Sequence, residues 1–152
     1  MLAVCELMRQ DIAVAHPGAP VRRVIELMAT MDVEGVLIAD VHGRVIGSIG
    51  DEQLVASLHA NRHHPSWRPL VADGTSWVDE RLITLTAGDI MLKRVVVVSP
   101  TTAAVAAIRL FDEYAVNILP VVDAGALVGA VFRADLVRRL LIPHPFGDPA
   151  ER

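Results

Sequence analysis

Residues 117–141 read NILPVVDAGALVGAVFRADLVRRLL, and the reading of this stretch decides the fold. Residues 117–123 are a β-rich apolar run, Ala124-Gly125 a tight turn, and 126–132 a second apolar run, the pattern of a hairpin. From Arg133 onward the period changes: apolar residues at 136, 137, 140 and 141 have helical spacing. Asp135 therefore falls in the first turn of a helix that follows directly on a strand. Two roles are open to it. A carboxylate at a strand end can accept both hydroxyls of a ribose, and an acid in a first turn complements the helix dipole.

The same pattern occurs earlier in the chain. Leu7-Met8 answers Ile90-Met91, Pro17 answers Pro100, and Asp40, closing GVLIAD, answers Asp123, closing ILPVVD, all at an offset of 83 residues. Beyond the hairpin turn the offset is 82, pairing Gly47 with Gly129 and Leu54 with Leu136, because Val41-His42-Gly43 is one residue longer than Ala124-Gly125. An offset that shifts only at a hairpin, where insertions are tolerated, marks an internal duplication. Each copy reads as a short helical turn (4–8; 88–92), a strand (12–15; 94–99), a helix after a proline turn (20–31; 101–114), a two-stranded hairpin and a closing helix (51–61; 133–141). Thr101 or Thr102 is the expected N-cap of one of these helices and Pro20 the first residue of another. The expected domains are 1–58 and 88–142, joined by a linker at 59–87 and followed by a tail at 143–152.

Composition narrows the function classes. The chain has 152 residues, 53% of them hydrophobic, a formal charge of −4 and one cysteine. Its mean hydropathy of +0.44 is high, yet no apolar run approaches the ~20 residues of a membrane span. The excess apolar surface, including the all-apolar run AAVAAI at 103–108, calls for burial on more than one side and so for a second chain or the sister copy. Net acidity gives no general footprint for nucleic acid, and a single Cys5 without a secretory leader is expected of a cytoplasmic protein.

The tandem β-α-β-β-α units resemble the cystathionine-β-synthase (CBS) domain family. The resemblance is carried by ILPVVD with LVGAVFRADLV in the second copy and by GVLIAD with VIGSIGDEQLV in the first. DIMLKRVVVVSPTTAAVAAIRLF and CELMRQDIAVAHPGAPVRRVIELM are similar to the family's usual opening. What it implies is an α/β (α+β) fold of two repeats about a pseudo-twofold axis, a homodimer, and clefts that take AMP, ADP, ATP or S-adenosylmethionine as a regulatory ligand. Such modules regulate a separate or attached protein, here unknown, and are associated with energy sensing.

Carried over residue by residue, the family's Gly-apolar-apolar-Thr/Ser-x-x-Asp segment falls on Gly129, Ala130, Val131, Phe132 and Asp135. Phe132 replaces the hydroxyl residue and offers an aromatic face to a base. Ile118, Leu119 and Pro120, with Val98 and Ser99, are the expected adenine wall. Tyr114 and Ala115 stand where several family sites carry a phosphate-holding base, and Arg133 is the nearest replacement. In the first copy Gly50 and Gln53 replace hydroxyl and acid, with Asp51 and Glu52 between them. Together with Leu37 they define a cleft read as degenerate, since local acids disfavour a phosphate.

Catalytic motifs find no support. The glycines at 43, 47 and 50 lack the G-x-G-x-x-G spacing, and Ser48 in GSIG is not in a nucleophile elbow. His59 and His63, with His64, have a chelating spacing but no further ligands, so no metal site is expected. Arg62, His63, His64 and Arg68 form a small basic cluster able to meet a phosphate. The expectation is a stand-alone regulatory module; the alternative is a structural dimerisation module with degenerate clefts.

Overall fold

The computed structural model describes residues 1–60 and 85–141. Two compact units emerge, and their boundaries are not those of the sequence repeats. One unit joins residues 1–10 to the chain from Val96 onward; the other is Asp11–Val95.

The Asp11–Val95 unit contains β1 (Val14–Ala15), β2 (Gly35–Ala39) and β3 (Val45–Gly50), in the order β1-β2-β3. β1 runs parallel to β2, and β2 antiparallel to β3. The helix Val21–Met31 connects β1 to β2, and the helix Asp51–Ala60 follows β3 without a break. The other unit pairs β4 (Ile118–Asp123) with β5 (Ala126–Phe132), preceded by the helix Ala104–Glu113 and followed by Arg133–Leu141. Ala124 (φ 47°) and Gly125 (φ 81°) both adopt the left-handed backbone that a two-residue hairpin turn needs. In the longer first turn, the Asp40 carboxylate accepts the backbone N–H groups of His42 and Arg44. The Arg44 N–H, the stronger influence, and that of His42 hold Asp40 below the usual carboxylate range.

The opening segments of the two repeats have exchanged places. The turn Val4–Glu6 belongs to the unit of repeat two, and the short helix Ala87–Ile90 to that of repeat one. Their backbone bonds correspond one for one at the 83-residue offset, or 82 for partners beyond the hairpin turn. Val4 N donates to Thr102 O as Ala87 N does to Ala19 O; Cys5 N donates to Pro100 O as Gly88 N does to Pro17 O. Arg9 and Ala130 exchange a pair of backbone bonds (2.9 and 3.0 Å), and Leu92 and Ser48 exchange another (2.8 and 3.0 Å). Each opening segment thus pairs with the outer strand of a hairpin, Leu92 with β3 and Arg9 with β5. The Glu6 carboxylate accepts the Ala3 N–H at 2.8 Å and Asp89 that of Thr86 at 2.8 Å, so both turns start on the same device. The Thr86 N–H also pulls the Asp89 carboxyl below its ordinary value.

This exchange explains the glycines shared by the two hairpins. A Cβ added at Gly129 would stand 2.8 Å from Met8 Sδ and 2.9 Å from the Arg9 carbonyl oxygen. At Gly47 it would stand 2.7 Å from Met91 Sδ and 2.8 Å from the Leu92 carbonyl oxygen. Because the second neighbour is backbone already in a ladder, it cannot yield cheaply. Gly129→Ala and Gly47→Ala are each expected to lower stability by about 1–3 kcal/mol, measured by denaturant unfolding.

Several expected elements are shorter than the sequence pattern implies. The predicted strand 94–99 reduces to one parallel bridge, in which Val98 N donates to Pro120 O and Val122 N to Val98 O. Pro120 tolerates its place in β4 because neither of these bonds needs its missing N–H. Neither Thr101 nor Thr102 caps the following helix: Ala103 is the N-cap, and the Thr102 hydroxyl instead accepts the Ser99 N–H. Pro20 is likewise an N-cap, one residue outside its helix. Within the single chain the run AAVAAI buries one side. Ala104, Ala107 and Phe111 form a buried stripe, while Val105 is 56% exposed. Phe111 shares the core of its unit with Val116, Leu119, Val121, Val131 and Leu136, all essentially inaccessible. Val21, Val24, Val36, Ile38 and Ile49 fill the other core. Most of the expected linker, with His63, His64 and the basic cluster, and the tail lie outside the described residues.

Candidate functional site

Strand alternation sorts the predicted wall. The pairs Ile118↔Phe132 and Pro120↔Ala130 lie on one face of the hairpin, and Leu119↔Val131 and Val121↔Gly129 on the other. Leu119 therefore cannot share a wall with Ile118 and Pro120, and at 0% exposure it belongs to the core. The expectation of three consecutive wall residues ignored the two-residue period of a strand. Val98, beside Pro120, is buried, while Ser99 is exposed with its hydroxyl near those of Thr101 and Thr102 (3.1 Å each). Ile118, Pro120, Phe132, Asp135, Val98 and Ser99 all fall in one unit.

β5 runs straight into its helix, with Arg133 N donating to Asn117 O at 3.0 Å. Arg133 is exposed at the helix start, and Asp135 lies in the first turn as expected. Its carboxylate is engaged by a residue that sequence reasoning missed. Arg9 donates through Nε to Asp135 Oδ2 at 2.8 Å and through Nη2 to Oδ1 at 3.2 Å. The bridge to Ala130 puts Arg9 on the same face as Ala130 and Phe132, and its guanidinium lies 5.3 Å from the centre of the Phe132 ring. Phe132 itself is 3% exposed. The ring presented as a face for a base is thus a buried support with a cation over it. Phe, in place of a hydroxyl residue, provides that support.

The corresponding positions of repeat one are Leu92, Gly50 and Gln53. There is no acid, no ring and no cation. Gln53 Oε1 accepts the Gly50 N–H at 2.8 Å, so the side chain caps its own helix. Asp51 accepts the Glu52 N–H, and Leu37 is 2% exposed in the core. Gly50, Asp51 and Gln53 form a locally satisfied strand-to-helix junction, and among the described residues no ion pair or hydrogen bond joins Gln53 to a charged side chain. Among the described residues no cluster of His, Cys, Asp and Glu could hold a metal ion, and no helix is long and apolar enough to cross a membrane.

The family model for the CBS domain matches residues 4–60 and 87–142. The CBS domain-containing protein CBSX2, chloroplastic, of Arabidopsis thaliana is 30% identical over 143 residues, covering 88% of this chain. The match spans 60% of that relative's length. A crystal structure of CBSX2 in complex with AMP superposes with a TM-score of 0.65 at 29% identity, covering 93% of this chain and 97% of the other. The CBS domain pair of protein MJ0100, in complex with 5′-methylthioadenosine and S-adenosyl-L-methionine, gives a TM-score of 0.71 at 18% identity, over 91% and 95% of the two chains. That likeness bears on the fold. With two matched repeats and the duplicated hydrogen-bond pattern that goes with them, the chain belongs to the CBS domain family as a CBS pair.

Proposed function

We propose that this chain is a non-enzymatic regulatory module that binds an adenosine-containing ligand through Asp135. The observation that carries the reading is the position of that carboxylate. It lies in the first helical turn after β5, 21% exposed, on the repeat that also holds Phe132, Pro120 and Val98. An ionised carboxylate is an acceptor-only group with capacity for both hydroxyls of a ribose. The AMP complex of CBSX2 supports an adenine nucleotide as the ligand class, and the S-adenosylmethionine complex of MJ0100 keeps that ligand among the candidates. Arg133, exposed at the helix start, is the side chain proposed to meet a phosphate. Signalling would pass through the geometry of a homodimer, for which the exposed Val105 and Val137 are candidate contacts. A ligand of this kind would shift a partner protein only by binding two conformations unequally.

The test is thermal stability against AMP, ADP, ATP and S-adenosylmethionine. A ligand at 100 times its dissociation constant is expected to add about 2.7 kcal/mol. Asp135→Ala, which removes charge-assisted hydrogen bonds, is expected to weaken binding by about 1.5–3 kcal/mol. No response to any of the four ligands favours the second reading, a structural dimerisation module. That reading draws on the junction of repeat one, where the uncharged Gln53 stands at the acid position and its Oε1 is taken by the Gly50 N–H.

A further inference from the structure

The three side chains that distinguish the Asp135 junction from its counterpart are in direct contact, and all three differ between the repeats. Arg9, Phe132 and Asp135 in one unit stand where Leu92, Gly50 and Gln53 stand in the other. A cation, the ring beneath it and the acid before it occur together in one copy and are all missing from the other. That pattern marks one device.

The geometry shows how the device acts. Arg9 approaches Asp135 as a fork, with Nε on one carboxylate oxygen and Nη2 on the other. A vicinal diol that grips the same acid through the facing lone pairs of both oxygens uses the edge that the fork occupies, so on that edge fork and diol compete. The Arg9 backbone is pinned by its two bonds to Ala130. An exchange therefore needs only the side chain, 38% exposed, to swing away while the strand edge stays in place.

We propose that Arg9 is a built-in competitor for the ribose site: its guanidinium caps Asp135, and a ligand's cis-diol replaces it. This rests on Asp135 being the sugar-binding acid, and it adds that the segment the repeats exchange holds that acid against the ligand. The site consequently favours ligands that bring both ribose hydroxyls.

Calorimetric titration of the full chain with adenosine, which is uncharged, tests this. Arg9→Gln is expected to bind adenosine about three- to tenfold more tightly than the native chain, the range for a partly exposed two-point ion pair. The same substitution leaves 2′,3′-dideoxyadenosine, which lacks the diol, unaffected. Raising salt on the native chain, which screens the pair without any substitution, is expected to tighten adenosine. Equal or weaker adenosine binding by Arg9→Gln, or a native affinity that falls with salt, overturns the competitor role and leaves the adenosine reading standing. Absence of binding to both the native chain and Arg9→Gln overturns both.

Discussion

Removing residues 1–10 is expected to unfold the hairpin of repeat two while leaving that of repeat one folded. The segment is remote in sequence from β4 and β5, yet five backbone hydrogen bonds tie it to residues 100–130. Thr102 O and Pro100 O lose the donors Val4 N and Cys5 N, Ala104 N loses the acceptor Leu2 O, and Ala130 loses both bonds to Arg9. Each is worth about 1 kcal/mol net. Val4, 0% exposed, contributes about 1.5–3 kcal/mol more through its burial. The sum approaches the whole stability of a small domain. The check is amide hydrogen exchange. Loss of protection at residues 118–132, with protection retained at 35–50, is the expected result. Uniform protection of both hairpins would mean that the exchanged segment is ornamental.

The second large effect is at Phe111. Its ring is 2% exposed at the end of the stripe Ala104, Ala107, Phe111, and it is the largest fully buried side chain among the described residues. The alanines above it have too little volume to fill the gap, so Phe111→Ala is expected to cost about 3–5 kcal/mol. Val105→Ala on the exposed face of the same helix is expected to change the stability of the single chain by less than about 0.5 kcal/mol. Denaturant unfolding of the two variants side by side separates the buried stripe from the exposed one. A large loss for Val105→Ala would indicate that a second chain covers that face.

That helix illustrates where sequence reasoning ran out. Its small, apolar surface calls for a partner on more than one side, and alanine carries no polar group to mark which side faces its own sheet and which a second chain or the sister copy. The hairpin around Ala124-Gly125, by contrast, was legible to within one residue, Asn117 falling just outside β4, since a change of period and a turn fixed its ends. The duplication was legible for a similar reason. An offset is a property of the chain alone, and every exchanged hydrogen bond repeats it.

The exchange itself was hidden. Both repeats offer the same edge to the same kind of opening segment, so sequence adjacency cannot tell which edge a segment takes. Arg9 was missed for the same reason, standing 126 residues from Asp135. A signal did exist: at the 83-residue offset Arg9 answers Leu92, just as Asp135 answers Gln53 at 82, and the two differences balance in charge. Leu119 was placed in the wall through neglect of strand alternation. Thr102 was expected at a helix cap, but its hydroxyl is committed to Ser99.

The most direct test is the stoichiometry of AMP binding measured by calorimetry on the native chain, Asp135→Ala and Gln53→Ala. One site per chain, lost in Asp135→Ala and unchanged in Gln53→Ala, is the predicted result. Two equal sites per chain, or a single site indifferent to Asp135→Ala, would contradict it.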